Sequence, residues 1–322
     1  MINLKLGTRG SPLALFQAKT VAALLQSSAA VTCEIVAIKT SGDRMAEVPL
    51  SDAGGKGLFV KEIEDALLEG TIDLAVHSSK DMSAVLPAGL TLGAVLPRED
   101  PRDAIVLPAA SPAVPYVDAI RSWGTTARIG TSSIRRVAQL ARLAPTARFI
   151  PIRGNVDTRL RKVDDGEYSA IVLAAAGLKR LGHGGRISAL LPTEVCVPAP
   201  GQGIIAVEIR DGDARTRDML SGMNDAPSAA ALAAEREVVV RLGGGCQMPI
   251  GAIASIAGSE LTLHAIVISI DGKRAVRTEM RGAVADASGI GARVAEALLA
   301  RGAAEILADA GHARVETERP QA

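Results

Sequence analysis

Apolar and polar positions along the chain change period in a regular way. Asn3 to Leu6 reads as a short strand and Gly7-Thr8-Arg9-Gly10 as a turn. Ser11-Pro12 then reads as a helix start, with serine as N-cap and proline at the first helical position. Leu15, Ala18, Ala22 and Leu25 recur on one helical face. Thr32 to Lys39 is β-branched and strand-like, and a loop runs from Thr40 to Gly57. In the next helix Val60, Ile63 and Leu67 point inward, Glu62, Asp65 and Glu69 outward, and Gly70 is the stop. Ile72 to Val76 reads as a buried strand that ends abruptly in His77-Ser78-Ser79-Lys80-Asp81.

The alternation then repeats. Strands are predicted at Arg128 to Gly130, Arg148 to Ile152 and Ser169 to Ala174. Each is followed by a helix: one after Thr131-Ser132-Ser133 carrying Arg135 and Arg136, one from about Val156 to Asp165, one from about Ala176 to Leu181. Such order implies parallel sheets with crossover helices. Pro97 to Pro101 and Pro192 to Gly203 read as linkers, and the strand-like Ile204 to Ile209 can return the chain to its first unit.

After about Met223 the pattern changes. A helix from Ser228 to Leu242 leads into Gly243-Gly244-Gly245-Cys246-Gln247-Met248-Pro249, and strands follow at Ile250 to Ile256, Leu261 to Ile270 and Arg274 to Arg281. Asp271-Gly272 between the last two is a hairpin signal. Two helices close this α+β unit, near Ala287 to Leu299 and Ala303 to Ala310.

The 322 residues exceed one ordinary core, so two or three domains are expected. Aromatics are only 2%, so the cores must be aliphatic. With 36 basic and 35 acidic residues, no general surface for nucleic acid is indicated, and any anion site must be a local arginine cluster. No apolar run approaches a membrane span. Cys33, Cys196 and Cys246 are far apart, and the four histidines show no ligand spacing, so neither disulfides nor a metal is expected. The first residues carry no apolar signal core, and a cytoplasmic protein is the expectation.

Candidate chemistry gathers at the carboxyl ends of the predicted parallel strands, where open α/β sheets bind ligands. The loops there carry Thr8 and Arg9; Ser41 and Asp43; Ser78, Lys80 and Asp81; Thr131, Ser132 and Ser133; and Arg153 and Asn155. Arg135, Arg136, Arg159 and Arg180 lie close to the helix starts. Guanidinium forks suit carboxylates, so a ligand with several negative groups held between two units is the economical reading. Each arginine alone is more readily a surface ion pair, and it is the shared sheet edge that sets the group apart. Gly54-Gly55-Lys56-Gly57 lacks the order of a phosphate loop and reads as a lid. His77 reads as a structural histidine. Asp81 is either a cap or partner of Lys80, or a lone carboxylate that stabilises positive charge arising in a reaction. Cys246 sits in a turn that presents a thiol: a buried small apolar group, a nucleophile, a metal ligand and a covalent attachment point all remain open for it.

These stretches together resemble the porphobilinogen deaminase (hydroxymethylbilane synthase) family. The matching residues are Thr8-Arg9-Gly10-Ser11-Pro12-Leu13-Ala14-Leu15, Gly54-Gly55-Lys56-Gly57-Leu58-Phe59, and Ala75-Val76-His77-Ser78-Ser79-Lys80-Asp81. They continue with Gly130-Thr131-Ser132-Ser133-Ile134-Arg135-Arg136, Arg153-Gly154-Asn155-Val156, Ala175-Ala176-Gly177-Leu178-Lys179-Arg180-Leu181 and Gly244-Gly245-Cys246-Gln247. The resemblance implies two periplasmic-binding-protein-like α/β domains with a cleft between them, and a small C-terminal α+β domain. The expected bounds are 1–98 with 200–220, then 99–199, then 221–322.

It further implies an enzyme of tetrapyrrole biosynthesis that joins four porphobilinogen units head to tail on a dipyrromethane cofactor and releases hydroxymethylbilane by hydrolysis. Cys246 would hold the cofactor through a thioether. Ser78, Lys80, Thr131, Ser133, Arg135 and Arg136 would bind the cofactor carboxylates. Arg9, Ser11, Gln17, Arg153, Arg159 and Arg180 would serve incoming substrate and the growing chain. Asp81 would be the catalytic carboxylate, and Lys56 and Phe59 would belong to the lid. A monomer suits the family. Two departures stand out: the family commonly has proline two residues after the aspartate, where this chain has Ser83, and Asp52 stands where some relatives have lysine. The rivals are a non-catalytic two-lobed anion-binding protein, which gives no reason for the Cys246 turn, and a nucleotide enzyme, whose motif is missing.

Overall fold

The computed structural model describes residues 2–28, 31–44, 60–244 and 248–317. In chain order it runs β1 (Ile2–Arg9), α1 (Pro12–Ser28), β2 (Val31–Ile38), α2 (Ser41–Arg44), α3 (Lys61–Leu68), β3 (Leu74–Ser78), β4 (Leu90–Val95) and β5 (Asp103–Val106). It continues α4 (Tyr116–Arg121), β6 (Arg128–Gly130), α5 (Ile134–Ala141), β7 (Arg148–Ile150), α6 (Val156–Asp164), β8 (Ala170–Ala174), α7 (Ala175–Arg180) and β9 (Ala189–Leu190). The rest is β10 (Ile205–Arg210), α8 (Ala214–Leu220), α9 (Ala226–Arg241), β11 (Ile250–Ala257), β12 (Glu260–Ile268), β13 (Ala275–Ala283), α10 (Ala287–Ala300) and α11 (Ala303–Thr317).

Two five-stranded sheets have the same layout. The first is ordered β2-β1-β3-β10-β4 and the second β7-β6-β8-β5-β9. In each, the first three strands are parallel. The fourth is antiparallel to both its neighbours. The expected parallel sheets are therefore mixed ones. The reversed strand in each case is the one that enters directly from a crossing between the sheets: β5 after the first crossing, β10 after the second. β4, β5, β9, α4 and α8 carry too few periodic positions to have been read from the sequence. The third sheet, β11-β12-β13, is an antiparallel meander. Gly272 in the turn of its second hairpin has φ 73°, where glycine is strain-free.

Aliphatic clusters fill each unit. Leu4 and Leu6 of β1 pack with Val21 and Leu25 of α1 and with Val207 of β10. Ile105, Ile129 and Val172 pack with Leu140 of α5 and Trp123. Val238 of α9, Leu263 of β12 and Val294 and Leu298 of α10 form the core of the third unit.

Glu235 of α9 joins these units. It is fully buried, and its carboxylate accepts from Arg98 Nη1 and Nη2 (2.6 and 2.9 Å), Gly201 N (2.7 Å) and Ala254 N (2.7 Å). One side chain of the third unit thus grips both crossings and β11. A buried carboxylate is tolerable only with such full satisfaction.

Candidate functional site

The site begins where β3 ends. Leu74 to His77 are buried, and the chain then turns through a short 3₁₀ segment, Ser79–Asp81. β1 ends alongside, with Thr8 fully buried and its hydroxyl 3.3 Å from the Val76 carbonyl oxygen. Ser11 caps α1: its Oγ accepts from Ala14 N at 3.3 Å. Gln17, on the next turn of α1, is buried and reaches Ser78 Oγ, 2.8 Å from its Nε2. Arg9, Ser11, Gln17, His77, Ser78 and Asp81 line one pocket of about 50 Å³. The structure therefore brings together Arg9, Ser11, Gln17, Ser78 and Asp81.

The facing wall comes from the second sheet. Thr131 Oγ1 accepts from Ser133 N at 3.3 Å. Ser133 is the N-cap residue of α5, yet its hydroxyl makes no capping bond, so capping does not use it up. Arg135 and Arg136 follow in the first turn. Both are buried, and both turn toward Asp103 at the start of β5. Arg135 Nη1 lies 2.7 Å from Asp103 Oδ2 and 2.7 Å from the Val197 carbonyl. Arg136 Nε lies 2.9 Å from Asp103 Oδ1, and its Nη1 donates to the Val172 carbonyl at 2.9 Å. Burial works against the Asp103 carboxylate, but the two guanidiniums outweigh it and hold the carboxyl well below its usual range. One carboxylate against two guanidiniums leaves positive charge over. Arg135 Nε is buried and has no partner among the described residues.

Further cations converge. Burial pushes the Lys80 ammonium down to about 8; Arg136 and Arg135 push the same way, against Asp81 and Asp103. Arg159 on α6 is lowered to about 10 by burial, with Arg136 and Arg153 adding to it and Asp81 opposing. These mutual influences put Lys80 and Asp81 of one sheet opposite Arg136 and Arg159 of the other. Arg159 Nε donates to Gly154 O at 2.8 Å. Gly154 has φ 104°, and a Cβ there would meet the Thr158 side chain at 2.7 Å, so glycine is required in that loop. Arg153 is half-buried on the same loop. Arg180 sits apart, at the second crossing: its Nη2 donates to Gly203 O at 2.7 Å. Cys246, Lys56 and Phe59 lie outside the described residues. α9 ends at Arg241, and Gly243, at φ 63°, follows it.

Several residues escaped the sequence reading. Asp103, Gln202, Gln139 and Cys196 form the buried network behind the arginines. Burial pushes the Cys196 thiol up to about 12, so it is no nucleophile. His77, read as a structural histidine, is buried and partnered by Glu208 of β10, with Nε2 3.0 Å from Oε2. The sequence signal for Asp103 was only an acid just beyond the first linker. Among the described residues no group of His, Cys, Asp and Glu side chains is placed to hold a metal. No helix among them is long and apolar enough to cross a membrane.

Residues 4–218 match the porphobilinogen deaminase dipyromethane cofactor binding domain family, and residues 229–300 match the porphobilinogen deaminase C-terminal domain family. The chain belongs to the porphobilinogen deaminase family. A porphobilinogen deaminase of Moorella thermoacetica is 47% identical over 308 residues, 95% of this chain and 96% of that one. Another, of Geobacter metallireducens, is 45% identical over 318 residues, 98% of each chain. Among solved structures, the Bordetella pertussis BvgS VFT2 domain (double mutant) matches with TM-score 0.41 and 17% identity, covering 68% of this chain and 84% of that one. The periplasmic aliphatic sulphonate binding protein SsuA of Escherichia coli matches with TM-score 0.38 and 14% identity, covering 75% and 70%. The architecture itself rests on the strand order described above. Membership of the porphobilinogen deaminase family places the chain in tetrapyrrole biosynthesis and makes dipyrromethane its cofactor class. The residues present suit that group. A polycarboxylate is what a buried surplus of guanidinium and ammonium charge, with an unpartnered buried Arg135 Nε, can accept.

Proposed function

We propose that this chain deaminates porphobilinogen and joins four units head to tail on a dipyrromethane attached to Cys246, then releases hydroxymethylbilane by hydrolysis. The observation that carries the reading is the cationic surplus around buried Arg135 and Arg136 and half-buried Lys80 and Arg159, with the Asp81 carboxylate facing it. Ser78, Lys80, Thr131, Ser133, Arg135 and Arg136 hold the cofactor carboxylates, and Arg9, Ser11, Gln17, Arg153, Arg159 and Arg180 hold substrate and product chain. When bound, dipyrromethane supplies the free pyrrole carbon to which the first substrate is joined.

The chain's own groups do the rest. Arg9 and Ser11 orient the substrate's acid groups in the pocket that Asp81 lines. As ammonia leaves, the substrate becomes a cation, and the Asp81 carboxylate stabilises it without reorganisation. Asp81 also accepts the pyrrole N–H and takes up the proton released when the new carbon–carbon bond forms. Cys246 acts as an anchor and is not consumed in each cycle. The functional units are 1–98 with 200–220, 99–199 and 221–322, in a monomeric cytoplasmic enzyme.

The test is to incubate the purified protein with porphobilinogen. The reading expects sustained disappearance of substrate, followed with an aldehyde reagent for pyrroles, and one ammonia released per unit consumed. Binding without ammonia release would instead favour a two-lobed carrier.

A further inference from the structure

Behind the arginines stands Asp103, which no motif marked. It opens β5, where the first crossing enters the second sheet, and it is fully buried. Its Oδ2 accepts from Arg135 Nη1 at 2.7 Å and lies 3.4 Å from Cys196 Sγ. Its Oδ1 takes Arg136 Nε at 2.9 Å, Gln202 Nε2 at 2.9 Å and Arg135 Nη2 at 3.3 Å, with Arg136 Nη2 at 2.7 Å. These donors come from two places, α5 and the second crossing, while the acceptor sits at the end of the first crossing. Gln139 reinforces the join: its amide both donates to Val197 O (3.0 Å) and accepts from Val197 N (2.8 Å). Val197 O is also the acceptor for Arg135 Nη1.

We propose that Asp103 is the positioning residue of the cofactor site: it fixes Arg135 and Arg136 against the second crossing, so the bound carboxylates meet a rigid cationic surface. This rests on the reading that the site takes the carboxylates of dipyrromethane. Asp103 touches neither substrate nor cofactor; it acts through the arginines. Two buried guanidiniums without it would repel each other and seek water. With it, the pair is oriented in advance and still carries net positive charge, so binding loses little to ordering side chains. An amide at this position keeps the shape. It puts an N–H₂ group among N–H donors, however, and leaves both guanidiniums uncompensated. The same carboxylate supports the ammonium form of Lys80, which lies across the cleft.

The test compares wild type with Asp103→Asn, as full-length chain made in cells unable to form porphobilinogen, then supplied with it. The readouts are far-UV circular dichroism with a thermal melt, intact mass for attached pyrroles, and the rate of attachment against pH. The expected result is a folded variant that attaches pyrroles at least ~10-fold more slowly, the scale of misplacing one charge-assisted contact. The alkaline limb of its attachment profile, set near pH 8 by Lys80 in the wild type, moves to lower pH because the supporting charge is gone. A purely structural role would leave that limb in place. A fully loaded Asp103→Asn with an unmoved limb overturns the proposal. Should Asp103→Asn fail to fold, Gln202→Met removes one donor and keeps the charge. It should fold and attach pyrroles several-fold more slowly, and wild-type attachment kinetics in it would overturn the proposal. A wild type that never acquires pyrroles defeats the functional reading itself; a loaded wild type beside an Asp103→Asn that attaches pyrroles at the wild-type rate with an unmoved limb defeats only the role of Asp103.

Discussion

Lys80 gives the most quantitative prediction. Burial lowers its ammonium from 10.5 to about 8, with the neighbouring guanidiniums adding to the fall. For a base, a folded pKa below the unfolded one means the charged form is disfavoured by folding. The cost is complete below pH 8 and fades as pH rises from about 8 to 10.5, where the unfolded chain also loses the proton. A fall of that size corresponds to on the order of 3 kcal/mol, and residual solvent access brings the expected figure to ~1–2 kcal/mol. Lys80→Met keeps the stem and removes the charge. In a Cys246→Ser background, which keeps the protein free of cofactor, it should raise unfolding free energy in urea by ~1–2 kcal/mol at pH 7. By pH 10 the gain should shrink to roughly a quarter. In the Cys246-containing protein the same substitution should lower pyrrole attachment. A Lys80→Met protein that is less stable at pH 7, or equally stabilised at pH 7 and pH 10, would refute the claim that the site stores unfavourable positive charge for its ligand.

Asp81→Ala should keep the fold and lose ~10²-fold or more in single-turnover rate, measured by rapid quench; a near-normal rate removes Asp81 from catalysis. Glu235→Gln should lose ~3–5 kcal/mol in urea unfolding, because four donors on both crossings and β11 lose their charged acceptor; a loss under ~1 kcal/mol contradicts that clasp. Glu64 of α3 is raised to about 7 by burial, with Glu208 and Asp65 adding and His77 opposing. Its carboxyl therefore opposes folding increasingly as pH rises from 4.5 to 7, so Glu64→Gln should raise the melting temperature at pH 8 and leave it unchanged at pH 4.

The elements legible in the sequence were those with long periods or strong punctuation. α1 announced itself through Ser11-Pro12 and a helical stripe, and α9, β11, β12 and β13 through length, alternation and Asp271-Gly272. β5 and β9 are short and fully or half buried, with no alternation to read, and β5 is the reversed strand that makes the second sheet mixed. The pocket at the ends of β1 and β3 was also within reach of the sequence, since Arg9, Ser11, Ser78 and Asp81 all lie within a few positions of those two strand ends. What stayed hidden was the support behind α5. Asp103 meets Arg135 and Arg136 from more than thirty positions away, and Gln202 meets Asp103 from 99. Pairings of that span follow from how two crossings are threaded, which residue types alone do not encode. The same holds for His77, whose partner Glu208 stands 131 positions further on.

The central claim is that Cys246 anchors a two-pyrrole primer in a site built from opposed cations. Intact mass of the purified chain tests it directly. The wild type should be heavier than its sequence by two linked pyrrole units, and Cys246→Ser should have the bare sequence mass while keeping its fold. Active wild-type protein at the bare sequence mass would contradict it.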